Sequence, residues 1–233
     1  MGKDVIVACD FASKEETLKF LDRFPAGEKP FVKIGMELFY AEGPEIVREL
    51  KKRGHKIFLD LKLHDIPNTV EKAMKVLSRL DVDMTNLHAA GTVKMMEGAL
   101  RGLTREDGSR PLLIAVTQLT STDQERLEKE ILIEKPINEV VMSYAKSAKT
   151  AGLDGVVCSP LEAGVVHEGV DKGFLTVTPG VRFEESDKGD QSRVTTPTRA
   201  KELGSDYIVV GRPITQAADP LEAYRRCVRE FVD

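Results

Sequence analysis

Four charged residues stand in or directly after runs of apolar, β-prone residues. Asp10 follows VIVAC (5 to 9), Lys33 lies inside FVKIG (31 to 35), and Asp60 and Lys62 lie inside KIFLDLK (56 to 62). Strand alternation puts Asp60 and Lys62 on one face and Leu59, Leu61 and Leu63 on the other, where leucines can pack against helices. The charges then point inward. A single Asp–Lys pair inside a protein reads best as a buried salt bridge. Two anions and two cations closing three neighbouring strands are different, because apolar residues would avoid the whole desolvation cost. Such a set points to a polar ligand or to a reaction that needs fixed charge.

A second group suits an anion. VTPGVR (177 to 182) and VVGRPIT (209 to 215) each join a strand-like run to glycine and arginine, and the second leads through Gly211 and Arg212 into a Pro213-led helix start. Backbone N–H groups and guanidinium fit a phosphate dianion. Isolated arginines are more often solvated surface, but two such loops favour a phosphate site. The histidines read blandly: His55 as a surface residue, His167 as a helix end, His88 as a satisfied imidazole in the core or behind a site side chain. His64 stands near Asp60 and Asp65, yet there is no HxH or HExxH spacing, and Lys62 in the same cluster opposes a cation. No metal is expected.

These residues need a scaffold that brings strand ends together. Eight short runs read as strands: 5 to 9, 31 to 35, 56 to 62, 84 to 88, 112 to 117, 155 to 159, 174 to 179 and 207 to 211. Amphipathic stretches such as GPEIVRELKKRG, TVEKAMKVLSRL and INEVVMSYAKSAKTAG lie between them. Eight β-α units in 233 residues favour one α/β domain over 1 to 233, a closed (β/α)8 TIM barrel, in which strand ends carry the active site. No GxGxxG follows the first strand, against a dinucleotide fold. Two connections are long, TQLTSTDQERLEKEILIEKP after strand five and GVRFEESDKGDQSRVTT after strand seven. The second ends in Thr196-Pro197, an N-cap followed by proline at the first helical position.

Composition narrows the partners. A net charge of -4 gives no general attraction to nucleic acid or to an anionic membrane, so a small-molecule ligand is expected. Three scattered cysteines form neither a zinc pattern nor a disulfide framework and fit a reducing cytoplasm. The apolar run before Asp10 is too short for a signal peptide or membrane span, and Ile6 spoils a myristoylation motif at Gly2.

DLKLHDIPNTV (60 to 70) resembles the signature of the orotidine 5′-monophosphate decarboxylases. VACDFAS (7 to 13), FVKIGMELFY (31 to 40), NLHAAG (86 to 91), AVTQLTST (115 to 122), VTPGVR, DQSRV (190 to 194) and VVGRPIT are similar to further blocks of that family, in family order. Thr92 departs from it, standing where the family often has a second glycine, which bears on the local backbone turn. The resemblance implies a cofactor-free decarboxylase acting as a homodimer with shared active sites. It implies that Lys62 gives a proton to C6 of the pyrimidine within an array of Lys33, Asp60, Lys62 and Asp65, the last from the other subunit. Carboxylates beside the ammonium suit Lys62 to that task. It further implies Asp10 and Thr69 on the ribose side, Ile66 beside them in the substrate site, Thr120 beside the pyrimidine, and Gln191, Arg182, Gly211 and Arg212 toward the phosphate.

Two other readings compete. A sugar-phosphate decarboxylase or aldolase-like relative shares the barrel and a D-x-K-x-x-D strand but needs Mg2+ and lacks the Thr120 and Gln191 blocks. A noncatalytic nucleotide sensor would keep the phosphate loops without needing Lys62 between Asp60 and Asp65.

Overall fold

In a computed structural model describing residues 3–185 and 194–233, eight parallel strands close in chain order. They are β1 (Asp4–Ala8), β2 (Phe31–Gly35), β3 (Ile57–Leu63), β4 (Met84–His88), β5 (Leu112–Val116), β6 (Gly155–Val157), β7 (Leu175–Thr178) and β8 (Tyr207–Val210). β1 pairs with β8 as well as β2, which seals the barrel. Helices α1 (Lys14–Leu21), α2 (Met36–Glu42), α3 (Pro44–Lys52), α4 (Pro67–Leu77) and α5 (Thr92–Leu103) occupy the first half. Helices α6 (Gln124–Lys129), α7 (Ile137–Thr150), α8 (Pro160–Gly169), α9 (Pro197–Glu202), α10 (Arg212–Thr215) and α11 (Pro220–Phe231) follow. The fold is a (β/α)8 barrel.

The alternation read from the sequence divides the core in two. Ile6, Phe31, Phe58, Met84, Ile114, Val177 and Val209 pack inside the barrel. Val5, Val7, Ile34, Leu59, Leu61 and Leu87 pack outward against the helices. Lys33 has the inward parity of Phe31, and Asp60 that of Phe58, so both side chains continue the inner stack toward the C-terminal rim.

Local chemistry starts the helices where expected. Thr196 accepts from the Arg199 N–H with Pro197 at the first helical position, and Ser159 and Glu162 form a reciprocal capping box on α8. α4 begins at Pro67, directly after Asp65 and Ile66, and is held close to α5 at Gly102, where a Cβ would lie 2.0 Å from the Glu71 carbonyl oxygen. The connection after β5 holds α6, capped by Asp123, rather than an unbroken loop. α6 is too short to show a period and α8 has weak amphipathy, so neither stands out in the sequence, whereas α10 begins at the proline-led start read at Pro213. His55 corrects the surface reading: it is 3% exposed, with Nδ1 3.0 Å from the Pro30 carbonyl oxygen.

Candidate active site

Asp10, Lys33, Asp60 and Lys62 form one continuous chain of ion pairs at the C-terminal ends of β1, β2 and β3. Lys33 Nζ lies 2.8 Å from Asp10 Oδ1 and 3.4 Å from Asp60 Oδ2, and Lys62 Nζ lies 2.6 Å from Asp60 Oδ1. Lys33 and Asp60 are buried, Lys62 is partly so, and Asp10 is open to solvent. Gly35 makes the packing possible, since a Cβ there would sit 3.0 Å from Asp10 Oδ1 and 3.1 Å from Lys33 Nζ.

The charges support one another. Burial alone would push the Lys33 ammonium toward neutrality, but Asp60 and Asp10 outweigh it and raise its pKa above the ordinary lysine value. Burial pushes the Asp60 carboxyl up, and Lys33, Lys62 and a hydrogen bond from Asn86 outweigh that and hold it below the carboxylate range. Both groups therefore remain ionised at neutral pH.

Alternation does not run unbroken through Lys62. The register of β3 against β4 shifts between Leu59 and Leu63, and Lys62 has a φ of 51°, in the left-handed region. Asn86, wholly buried in β4, accepts the Lys62 N–H at Oδ1 (2.8 Å) and donates from Nδ2 to Asp60 Oδ1 (2.7 Å). The sequence reading missed Asn86 and Gly35. Asn86 carried the signal that singled out Lys33, a polar residue at an inward strand position.

Lys33, Asp60 and Lys62 line a cavity with Phe58 at its base and Thr120 and Pro179 on other walls. Thr120 is thus in the same chamber as the charges. Asp65, Ile66 and Thr69 are not: they are exposed beyond β3, and Asp65 accepts its neighbour's Ile66 N–H at 2.6 Å. Asp65 and Thr69 border a second cavity, which Lys62, Met36 and Tyr40 also line. Lys62 therefore borders both chambers. His64 and His88 stand beside it with ring centroids 5.7 Å apart, and burial, His64 and Lys62 together lower the His88 pKa, favouring a neutral ring. Among the described residues, no three His, Cys, Asp or Glu side chains are grouped to hold a metal ion.

At the same end of the barrel, Arg182 follows β7. Its N–H donates to the Thr195 carbonyl (2.9 Å) and its Nη1 to the Val181 carbonyl (2.8 Å), while Val181 bridges Thr195, tying the two ends of the long connection together. Gly211 caps α10, which opens with exposed Arg212 after β8. Gln191 lies outside the described residues. No described helix is long and apolar enough to cross a membrane.

Residues 3–227 match the model of the orotidine 5'-phosphate decarboxylase / HUMPS family. The chain is 59% identical to an orotidine 5'-phosphate decarboxylase of Bacillus cytotoxicus, over 99% of this chain and 98% of that protein. Among solved structures it resembles an orotidine 5'-phosphate decarboxylase from Lactobacillus acidophilus, with 45% identity, a TM-score of 0.88, and coverage of 99% and 100%. It also resembles an uncharacterized conserved protein from Geobacillus kaustophilus, with 52% identity, a TM-score of 0.86, and coverage of 97% and 99%.

Proposed function

The chain belongs to the orotidine 5'-phosphate decarboxylase / HUMPS family, and from that premise we propose that it converts orotidine 5′-monophosphate to UMP and CO2, the last step of UMP biosynthesis. The observation that carries this reading is the unbroken Asp10–Lys33–Asp60–Lys62 chain, whose last three members line a barrel-end cavity.

The chemistry follows from the charge arrangement. Breaking the C6–carboxylate bond releases CO2 and leaves the electron pair on C6, a vinyl-type carbanion that no ring carbonyl readily delocalises. Fixed positive charge there lowers the barrier. Lys62 stabilises the developing pair, gives it a proton, and regains one from solvent. Asp60 holds the Lys62 ammonium in place. A carboxylate at 4 Å from the substrate carboxylate also repels it by about 4 kcal/mol at an effective dielectric near 20. Differential stabilisation by Lys62 carries more weight, because repulsion of the bound substrate must first be offset by binding elsewhere. Thr120 contacts the pyrimidine, Asp10 the ribose, and Arg182, Gln191, Gly211 and Arg212 the phosphate. No step calls for a metal or cofactor.

The working unit is a homodimer in which Asp65, Ile66 and Thr69 complete the partner's pocket. Support comes from their exposure and from the apolar surface beside them: Ile66 is 66% exposed and Tyr40 70%, and exposed Met36 lines the second cavity with Tyr40. A cytoplasmic location fits three buried cysteines far apart in the chain.

The deciding experiment is a spectrophotometric assay of orotidine 5′-monophosphate conversion by purified, EDTA-treated protein. Turnover without added metal is expected. Absence of turnover, or its dependence on restored Mg2+, would favour the metal-dependent sugar-phosphate chemistry instead.

A further inference from the structure

The Asn86 side chain touches both parts of the Asp60–Lys62 unit. It is 0% exposed, its Oδ1 takes the Lys62 N–H, and its Nδ2 donates to Asp60 Oδ1, the oxygen that also accepts from Lys62 Nζ. The direction of the amide is dictated by its neighbours. A backbone N–H only donates and an ionised carboxylate only accepts, so the group between them must offer one acceptor and one donor. A carboxamide does; a carboxylate or an aliphatic chain does not.

The backbone shows what the amide is for. Lys62 is left-handed, at φ 51°, at the point where the β3–β4 register shifts. A non-glycine residue adopts that conformation at a cost, and the shift removes the regular ladder partner for its N–H. The Asn86 oxygen takes the place of that partner, so the orphaned donor is satisfied inside the protein. One buried side chain thereby links the Lys62 main chain to the carboxylate that holds its ammonium.

We propose that Asn86 is a positioning residue, which sets where the Lys62 ammonium stands by tying the Lys62 N–H and the Asp60 carboxylate to one rigid amide. This rests on the proton-donor role of Lys62 given above. Displacing the ammonium weakens an interaction made in the transition state and leaves ground-state binding through the phosphate untouched. Asn86→Leu, similar in volume and lacking both hydrogen bonds, should lose about 100-fold in kcat, the scale of an ångström's misplacement, with KM and UMP affinity nearly unchanged. Asn86→Asp is the diagnostic variant. Ionised, it repels Asp60 and offers no donor; protonated, it restores the donor to Asp60 and the acceptor for Lys62. Its kcat relative to wild type should therefore climb as pH falls.

Circular dichroism and melting establish that each variant folds, and Lys62→Ala is run beside them. If Lys62→Ala is inactive while the Asn86 variants turn over normally, or lose kcat and UMP affinity together, or show a pH-independent ratio, the positioning role fails by itself. If Lys62→Ala turns over normally, the reading beneath it fails. Amide hydrogen exchange at Lys62 in the wild-type protein gives a test independent of any variant: slow exchange is expected, and fast exchange overturns the proposal.

Discussion

Lys33 Nζ faces Asp60 Oδ2 at 3.4 Å across neighbouring strands, with only 9% and 7% of the two residues exposed. A pair buried this deeply is weak evidence for net stability, because desolvation takes back most of the attraction. Its value lies in direction. Lys33 reaches Asp10 on one side and Asp60 reaches Lys62 on the other, so the proposed reaction would find these charges already in place.

The stability contributed by this pair should be confined to a pH window. The folded Asp60 pKa is depressed, so its share is present above the ordinary carboxylate value of about 3.9 and lost as pH falls through the lower folded value. The folded Lys33 pKa is raised, so its share is present below the ordinary lysine value of about 10.4 and lost as pH rises through the higher folded value. In urea unfolding, wild-type stability relative to Asp60→Asn should decline as pH drops below about 4. An offset that stays constant there would mean that Asp60 titrates alike in the folded and unfolded chains.

Lys62→Ala should leave the fold and most UMP binding intact while removing most turnover, since the lost interaction is made mainly with the transition state. Assay, circular dichroism and UMP titration on one preparation check this. Near-normal turnover in a folded variant would take the proton-donor role from Lys62.

Arg182→Ala should chiefly weaken binding of phosphorylated ligands. It should lower kcat as well if phosphate binding energy helps to organise the connection whose ends meet at Val181 and Thr195. Calorimetric titration with UMP is the measurement, and an unchanged affinity would place Arg182 outside the phosphate site.

Thr92 has φ 76° and ψ 164°, a region open almost only to glycine, where other residues bear about 1–3 kcal/mol of strain. Thr92→Gly should therefore stabilise the protein by about 1 kcal/mol after the added chain entropy of glycine, raising Tm by roughly 2 to 4 °C. A lower Tm would show that contacts of the threonine side chain outweigh the strain.

The proposed shared pocket gives the sharpest dimer test. If Asp65 acts across the interface and Lys62 within its own chain, a mixed dimer of Lys62→Ala and Asp65→Ala has one doubly damaged pocket and one intact pocket. Random subunit exchange between the two inactive variants should then restore about one quarter of wild-type activity. Heterodimers seen by mass spectrometry without returning activity would put Asp65 in its own chain's pocket.

The barrel and most of the charge cluster were legible in the chain because both rest on period-two alternation, which is local. FVKIG was read as a strand over 31 to 35 and is one, and the inward parity of Lys33 and Asp60 follows from counting along their strands. By resemblance alone, Thr92 stands where the family often has a glycine, and its backbone has a glycine-like φ. Asp65, Ile66 and Thr69 could be named by resemblance, but their exposure beside a second cavity depends on where β3 ends and α4 is docked. The left-handed Lys62 and its bond to Asn86 belong wholly to the tertiary structure. They arise from a register shift between β3 and β4, residues 24 positions apart, and pairing between strands is settled by the closing of the barrel rather than by either segment.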